Sequence, residues 1–192
     1  MFTRIIMKIE NANWFLDYAR TTDDYKNFIL KHFIKDYIFQ HRLRYMIYFR
    51  KCQNTNNNFF KLFYKFKLYM LCRKYGIEIK PQTQIGEGFL MVHPYNITIA
   101  PKAVLGRNVT MLKGSTIGKS EGKKPGVPII GNDVFIGLNS TVLGGIVIGD
   151  DVLIGPNTVV NKDIPSHSVV IGNPCIIIHR ENATKDYLNY KI

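Results

Sequence analysis

Cysteine is scarce in this 192-residue chain: three residues, Cys52, Cys72 and Cys175, widely scattered. An odd, dispersed set excludes a disulfide framework and offers no zinc-ligand spacing, so a reducing compartment, the cytoplasm, is expected. Long apolar runs are missing too. None approaches the roughly 20 residues a spanning helix needs, and the opening stretch MFTRIIMKIENANWF has no continuous apolar segment of the kind a signal peptide carries. Acidic residues are few, 14 against 26 Lys and Arg, for a formal charge of +12. The shortage is local. Residues 1–76 hold fifteen basic and five acidic side chains, a net of +10, whereas the other 116 hold eleven and nine, a net of +2.

What the chain has is a repeat. From Ile130 to Ile164 every sixth residue is a branched apolar: Ile130, Ile136, Val142, Ile148, Ile154 and Val160. Four are followed by Gly131, Gly137, Gly149 and Gly155, and four places after each apolar falls Val134, Ser140, Ile146, Val152, Thr158 or Ile164. Six is not a helical period, because 3.6 residues per turn would smear these positions around a helix. It fits a parallel β-helix in which each hexad supplies one strand and one corner and three hexads make a coil. The glycines are expected to relax the backbone at the corners. The phase extends back through Ile79, Ile85, Met91, Ile99, Leu105, Met111 and Ile117, with two breaks. Two residues are inserted between Met91 and Ile99, in a segment holding His93. Seven are inserted between Ile117 and Ile130, at Lys119 to Pro128 (KSEGKKPGVP). Such detours carry function more often than the scaffold does.

Residues 1–76 read as a basic, aromatic helical region, 77–180 as the β-helix and 181–192 as a polar tail with a short helix. Residues 1–10 read as a short strand or a frayed end. Thr22-Asp23-Asp24 offers an N-cap, and Phe28, Ile29, Phe33, Ile34, Tyr37 and Ile38 repeat at three and four, predicting one apolar face. His41 to Lys51 continues this helix or opens a second one. QNTNNN, Gln53 to Asn58, reads as a loop, and Gly76 as the C-cap of FFKLFYKFKLYMLCRKY. The basic helices are expected to cap the first coil and a neighbouring subunit. Peripheral contact with an anionic bilayer at the inner face of the membrane is the functional alternative. Nucleic acid is not expected, since no recognition motif accompanies the charge.

Three features taken together, the hexads, the His93 segment and the closing VVIGNPCIII, resemble the hexapeptide-repeat acyltransferases. The resemblance is strongest to the branch holding serine acetyltransferases and the O-acetyltransferases of capsule and lipopolysaccharide sugars. It covers roughly residues 77–180. IGEGFLMVHPYNITIAPKAVLG is similar to the catalytic segment, and the hexads from Ile130 to Ile164 to the acyl-CoA-binding coils. The resemblance implies a left-handed coil, a homotrimer with shared sites, and acetyl-CoA as co-substrate. The co-substrate would lie along Gly118, Gly137, Leu138, Gly155, Pro156 and Cys175, with Lys119 or Arg180 near its phosphates.

The chemistry needs a base that accepts a hydroxyl proton near neutral pH, and histidine suits that task. His93 is the expected general base, with Glu78 orienting it or touching the acceptor. Transfer is direct, because positioning replaces a covalent intermediate. A backbone N–H at Gly118 or in the following loop is implied as the oxyanion donor. His32 and His41 read as surface or core residues, and His167 and His179 as part of the closing segment. No metal is expected, since only His93 lies within the hexads. Cys175 reads as a small packing residue. Serine acetyltransferases carry Asp before the catalytic His, where this chain has Val92, and a second His in the extended loop near Lys124, which this chain lacks. Those departures favour a sugar hydroxyl of a surface polysaccharide as the acceptor, contacted by Tyr95, Asn96, Lys119, Lys123 and Lys124. L-Serine, and a non-catalytic scaffold that binds membrane or partner, are the alternatives.

Overall fold

The computed structural model describes residues 13–20, 30–188 and 191–192. The expected N-cap at Thr22-Asp23-Asp24, the strand or tail over 1–10, and Phe28 and Ile29 lie outside these residues. Among the described residues four helices come first: α1 (Asn13–Ala19), α2 (Leu30–Phe39), α3 (His41–Asn54) and α4 (Asn58–Tyr75). Fifteen short strands follow: β1 (Glu78–Ile79), β2 (Gln84–Ile85), β3 (Leu90–Val92), β4 (Thr98–Ile99), β5 (Val104–Leu105), β6 (Thr110–Leu112), β7 (Thr116–Gly118), β8 (Ile129–Ile130), β9 (Phe135–Ile136), β10 (Thr141–Leu143), β11 (Val147–Ile148), β12 (Val152–Ile154), β13 (Val159–Val160), β14 (Ser168–Ile171) and β15 (Ile176–His179).

Every third strand shares a sheet. Sheet A is β1-β4-β7-β10-β13, sheet B is β2-β5-β8-β11, and sheet C runs β3-β6-β9-β12-β14 with β15 antiparallel at its end. A bridge from Ile148 to Ile164 adds a fifth rung to sheet B. The result is a left-handed parallel β-helix of about five turns. The six-residue spacing becomes three internal ladders. Ile79, Ile99, Ile117, Val142 and Val160 stack in sheet A. Ile85, Leu105, Ile130 and Ile148 stack in sheet B, and Met91, Met111, Ile136, Ile154 and Val170 in sheet C. All are buried, as are the small-slot residues Ser140 and Thr158, so a column of apolar side chains lines each face.

The corners work differently from the sequence expectation. The left-handed backbone falls on Asn and Asp two residues after each glycine, at Asn108, Asp133, Asn139, Asp151 and Asn157, with φ of 54–56°. Short polar side chains tolerate that region. The glycines are needed for close approach: a Cβ on Gly137 would lie 2.7 Å from the Pro156 backbone nitrogen one coil on.

The first coil has an open end, and α3 closes it. The Tyr45 hydroxyl donates to the Ile79 carbonyl at 2.9 Å and accepts from the Ile79 N–H at 3.1 Å, standing in for a missing strand of sheet A. Gln53 donates to the carbonyls of Pro81 and Thr83, and Arg50 to those of Ile85 and Gly86 at 2.6 Å. The Arg50 guanidinium also grips Asp17 of α1 at 3.0 Å, and Asp17 accepts the Phe89 N–H at 2.9 Å. Burial pushes the Asp17 carboxyl up, and Arg50 and the Phe89 amide work against that. Such caps are what a solenoid needs at its ends.

The helical reading holds with adjustments. α3 is separate from α2. Gln53 and Asn54 belong to α3 and Asn58 to α4, so the loop is only residues 55–57. In α2, Phe33 and Tyr37 are half-buried against Phe15, Tyr18, Leu43 and Ile47, while Ile34 and Ile38 are exposed. Gly76 has a φ of 69° and caps α4. Residues 181–187 form turns in place of the expected short helix, and side-chain and backbone contacts strap the tail to the coil. Ala183 and Thr184 bind Asp151, Lys191 pairs with Asp133, and Ile192 bonds Asn108. The strap therefore follows the left-handed corners between sheets B and C.

Candidate active site

The break between Met91 and Ile99 forms a loop, His93–Asn96, on the edge between sheets C and A. His93 and Asn96 have φ of 49° and 53°. The His93 side chain is exposed and forms no hydrogen bond or ion pair with any described residue. Its loop is held from two sides. The N–H at His41 Nε2 donates to the Pro94 carbonyl at 3.1 Å. The His41 ring stacks on Tyr75 at 3.8 Å between centroids and meets Tyr95 edge-on at 5.0 Å. The Asn96 N–H donates to the Tyr75 carbonyl at 3.0 Å, and the Gly114 N–H to the Tyr95 carbonyl at 2.9 Å. Burial, with Arg44, Arg42 and Lys74 nearby, lowers the pKa of His41 against the raising effect of the Pro94 bond. From the sequence alone His41 reads as a surface or core residue, because no local signal marks a contact 53 positions away.

The same edge continues up the coil. Asn139 N–H bonds the Lys113 carbonyl at 3.1 Å, and Asn157 N–H the Leu138 carbonyl at 2.8 Å. His93, Gly137, Leu138, Gly155 and Pro156 thus lie on one edge, one coil after another. Glu78 joins them at the bottom. It opens β1 opposite Thr98, its N–H bonds the Ile97 carbonyl at 2.8 Å, and its side chain is exposed in a groove of about 440 Å³ between α4 and the first coil. Tyr95 and Asn96 are exposed on the His93 loop.

Gly118, Lys119, Lys123 and Lys124 lie on the next edge, between sheets A and B, and one chain does not bring them to His93. The width of sheet A, up to about 20 Å for a hexad, separates the two. Their loop closes on itself through paired N–H and carbonyl groups of Ser120 and Gly126. Lys124 pairs with Asp163 and Lys119 with Glu121, both at 2.5 Å and well exposed. Surface pairs of this kind add little stability. Lys123 forms no ion pair with a described residue. Arg180 and Cys175 follow the last coil. Cys175 is buried, and Arg180 faces Asp186 at 3.4 Å. His167 contributes to structure: its Nδ1 lies 2.9 Å from Asp151, whose hydrogen bond raises the imidazole pKa. Among the described residues, no three His, Cys, Asp or Glu side chains converge as metal ligands would.

Along this edge a ladder of backbone and small residues rises above the exposed His93 imidazole. Residues 128–162 match the family model for the bacterial transferase hexapeptide (six repeats). Serine acetyltransferase 2 of Arabidopsis thaliana is 37% identical over 129 residues, covering 60% of this chain and 40% of that protein. The serine acetyltransferase of Bacillus pumilus is 39% identical over 123 residues, covering 58% and 56%. The chain therefore spans less than two thirds of the curated relatives it matches. Among solved structures, the Neisseria gonorrhoeae serine acetyltransferase superimposes with a TM-score of 0.70 at 28% identity, over 91% of this chain and 67% of that one. A Brucella abortus serine acetyltransferase in complex with coenzyme A shares the fold, with a TM-score of 0.70 at 23% identity over 88% and 66%.

These matches overturn the surface-polysaccharide acceptor. That expectation rested on Val92 and on a loop histidine missing near Lys124. The relatives at 37–39% identity are named for serine.

Proposed function

We propose that this chain is a serine O-acetyltransferase with acetyl-CoA as donor, acting in cysteine biosynthesis. The reading rests on the serine acetyltransferase relatives, together with His93 standing at the foot of an edge built from backbone and small residues. His93 takes the proton of the L-serine hydroxyl as its oxygen attacks the thioester carbonyl. The tetrahedral intermediate then collapses, the C–S bond breaks, and the imidazolium returns the proton to the departing CoA thiolate. No acyl-enzyme forms. Positioning of the two substrates supplies much of the acceleration, and histidine needs only a small pKa adjustment for this work. Glu78, on the same edge, orients His93 or holds the serine ammonium.

The extended loop on the neighbouring edge enters the same site only if a second subunit supplies it, which supports a homotrimer with sites between subunits. In that assembly Gly118 and Lys119 of one subunit flank the donor held along Gly137, Leu138, Gly155 and Pro156 of another. Steady-state kinetics with L-serine and acetyl-CoA test the proposal. The expected kcat/KM is about 10⁴ M⁻¹s⁻¹ or more, falling at least about 100-fold in His93→Ala. A normal rate in folded His93→Ala removes the base. A negligible rate with L-serine in the wild type removes the acceptor.

A further inference from the structure

α4 carries two apolar faces. Leu68, with Tyr64, Leu71 and Tyr75, packs inward on the cap of the first coil. The opposite face is bare. Phe59, Phe63, Phe66 and Met70 follow at intervals of four, three and four, so they form one stripe, with Leu62 and Tyr69 beside it. Their exposures run from 43% to 74%. Lys61, Lys65, Lys67, Arg73 and Lys74 are the only charged residues of the helix. Lys67 and Arg73 lie over the rings of Phe63 and Tyr69 at 5.4 and 5.8 Å, so cations flank the stripe.

We infer that this outer face of α4 rests on an anionic lipid surface. The charge decides among occupants. A second copy docking through the same face would set Lys67, Arg73 and Lys74 against their own copies, with no acid on the helix between them. A nucleic acid would meet the cations but leave six large apolar side chains in water. Acyl chains below a layer of anionic headgroups satisfy both halves, with aromatic residues at the boundary and Lys and Arg among the headgroups. No described helix is long and apolar enough to cross a membrane, so the helix lies flat over its length of about 27 Å. Its last residue, Tyr75, supports the His93 loop, which places the candidate site close to the lipid surface. This inference does not depend on the acceptor.

Co-sedimentation of the full chain with vesicles tests it. The expected result is binding to vesicles of phosphatidylglycerol and phosphatidylcholine in equal parts, weakened by salt, and no binding to pure phosphatidylcholine. Lys67→Ala/Lys74→Ala should lower the partition coefficient about 30-fold, from about 1 kcal/mol per cation. Phe63→Ser/Phe66→Ser should lower it at least about 10-fold. Both pairs are on the surface, and unchanged thermal unfolding will show that the fold is intact. Absence of binding to the anionic vesicles overturns the inference, as does binding that both variants retain. A chain that ignores vesicles but loses mass in Phe63→Ser/Phe66→Ser shows a contact between copies, and also overturns it.

Discussion

Replacing His41 by phenylalanine is expected to loosen the His93 loop without unfolding the protein. Phenylalanine keeps the stack on Tyr75 and the edge contact with Tyr95, but it cannot donate to the Pro94 carbonyl. A net hydrogen bond is worth about 0.5–1.5 kcal/mol, and a carbonyl left without a partner raises that toward about 2. The closed loop would therefore lose roughly 2- to 30-fold in stability relative to its open forms. His41→Ala also gives up two ring contacts, each worth about 0.5–1.5 kcal/mol, and should open the loop further. Hydrogen exchange at the Asn96 and Gly114 amides reports opening, since both bond carbonyls within the clamp. The kcat for acetyl transfer should fall in the same order, about 10-fold and then about 100-fold, because small misplacements of a base are costly. pH provides a second readout. His41 has a lowered folded pKa, so its contribution is full above the unfolded value near 6.5 and drains away as pH falls through the folded one. Protection factors at both amides should fall in acid in the wild type and not in His41→Phe. Unchanged exchange and unchanged kcat in both variants would refute the clamp.

Arg50→Ala should cost about 3–5 kcal/mol, because it strands a buried carboxylate on Asp17 and uncaps two carbonyls; urea unfolding measures it, and Asp17→Ala/Arg50→Ala should cost less than the sum of its parts. Asp151 is raised by burial, but bonds from Thr184, His167 and Ala183 prevail and hold its pKa down to about 2. The stability it brings is present above 3.8, its ordinary value, and lost as pH falls toward 2. Asp151→Asn should release the tail strap and cost about 2 kcal/mol, read by proteolysis of residues 185–192. Gly137→Ala should destabilise by about 1–3 kcal/mol, since its Cβ meets backbone of the next coil. Gly122→Ala, on the exposed loop, should be close to neutral in thermal unfolding.

The coil was legible because each of its rungs repeats the same local requirement, an inward branched residue and a small one, and repetition survives in one dimension. The His93 detour was legible for the same reason, as a break in phase. The sharing of an edge by His93, Gly137 and Gly155 was encoded as well, since counting hexads in threes assigns each corner to an edge. The caps were not legible. Tyr45, Gln53, Arg50 and His41 reach backbone carbonyls 28 to 53 positions away, and no spacing within α3 announces that. The tail strap was hidden similarly: Ala183 and Thr184 look like any polar terminus until Asp151 is beside them. The acceptor was not legible: Val92 and the lack of a loop histidine near Lys124 are local differences, whereas the likeness to serine acetyltransferases runs over more than 100 residues.

The rungs hand their hydrogen bonds up and down the axis, and a corner is asked only to turn the chain through a fixed bend. Lengthening one corner therefore costs little beyond loop closure, which grows by only about 0.6 kcal/mol per doubling. A molecule built this way behaves like masonry with removable balconies. The ten residues from Lys119 to Pro128 could be exchanged for another overhang, and the partner admitted to the chemistry altered, while every course of the wall beneath stays where it was.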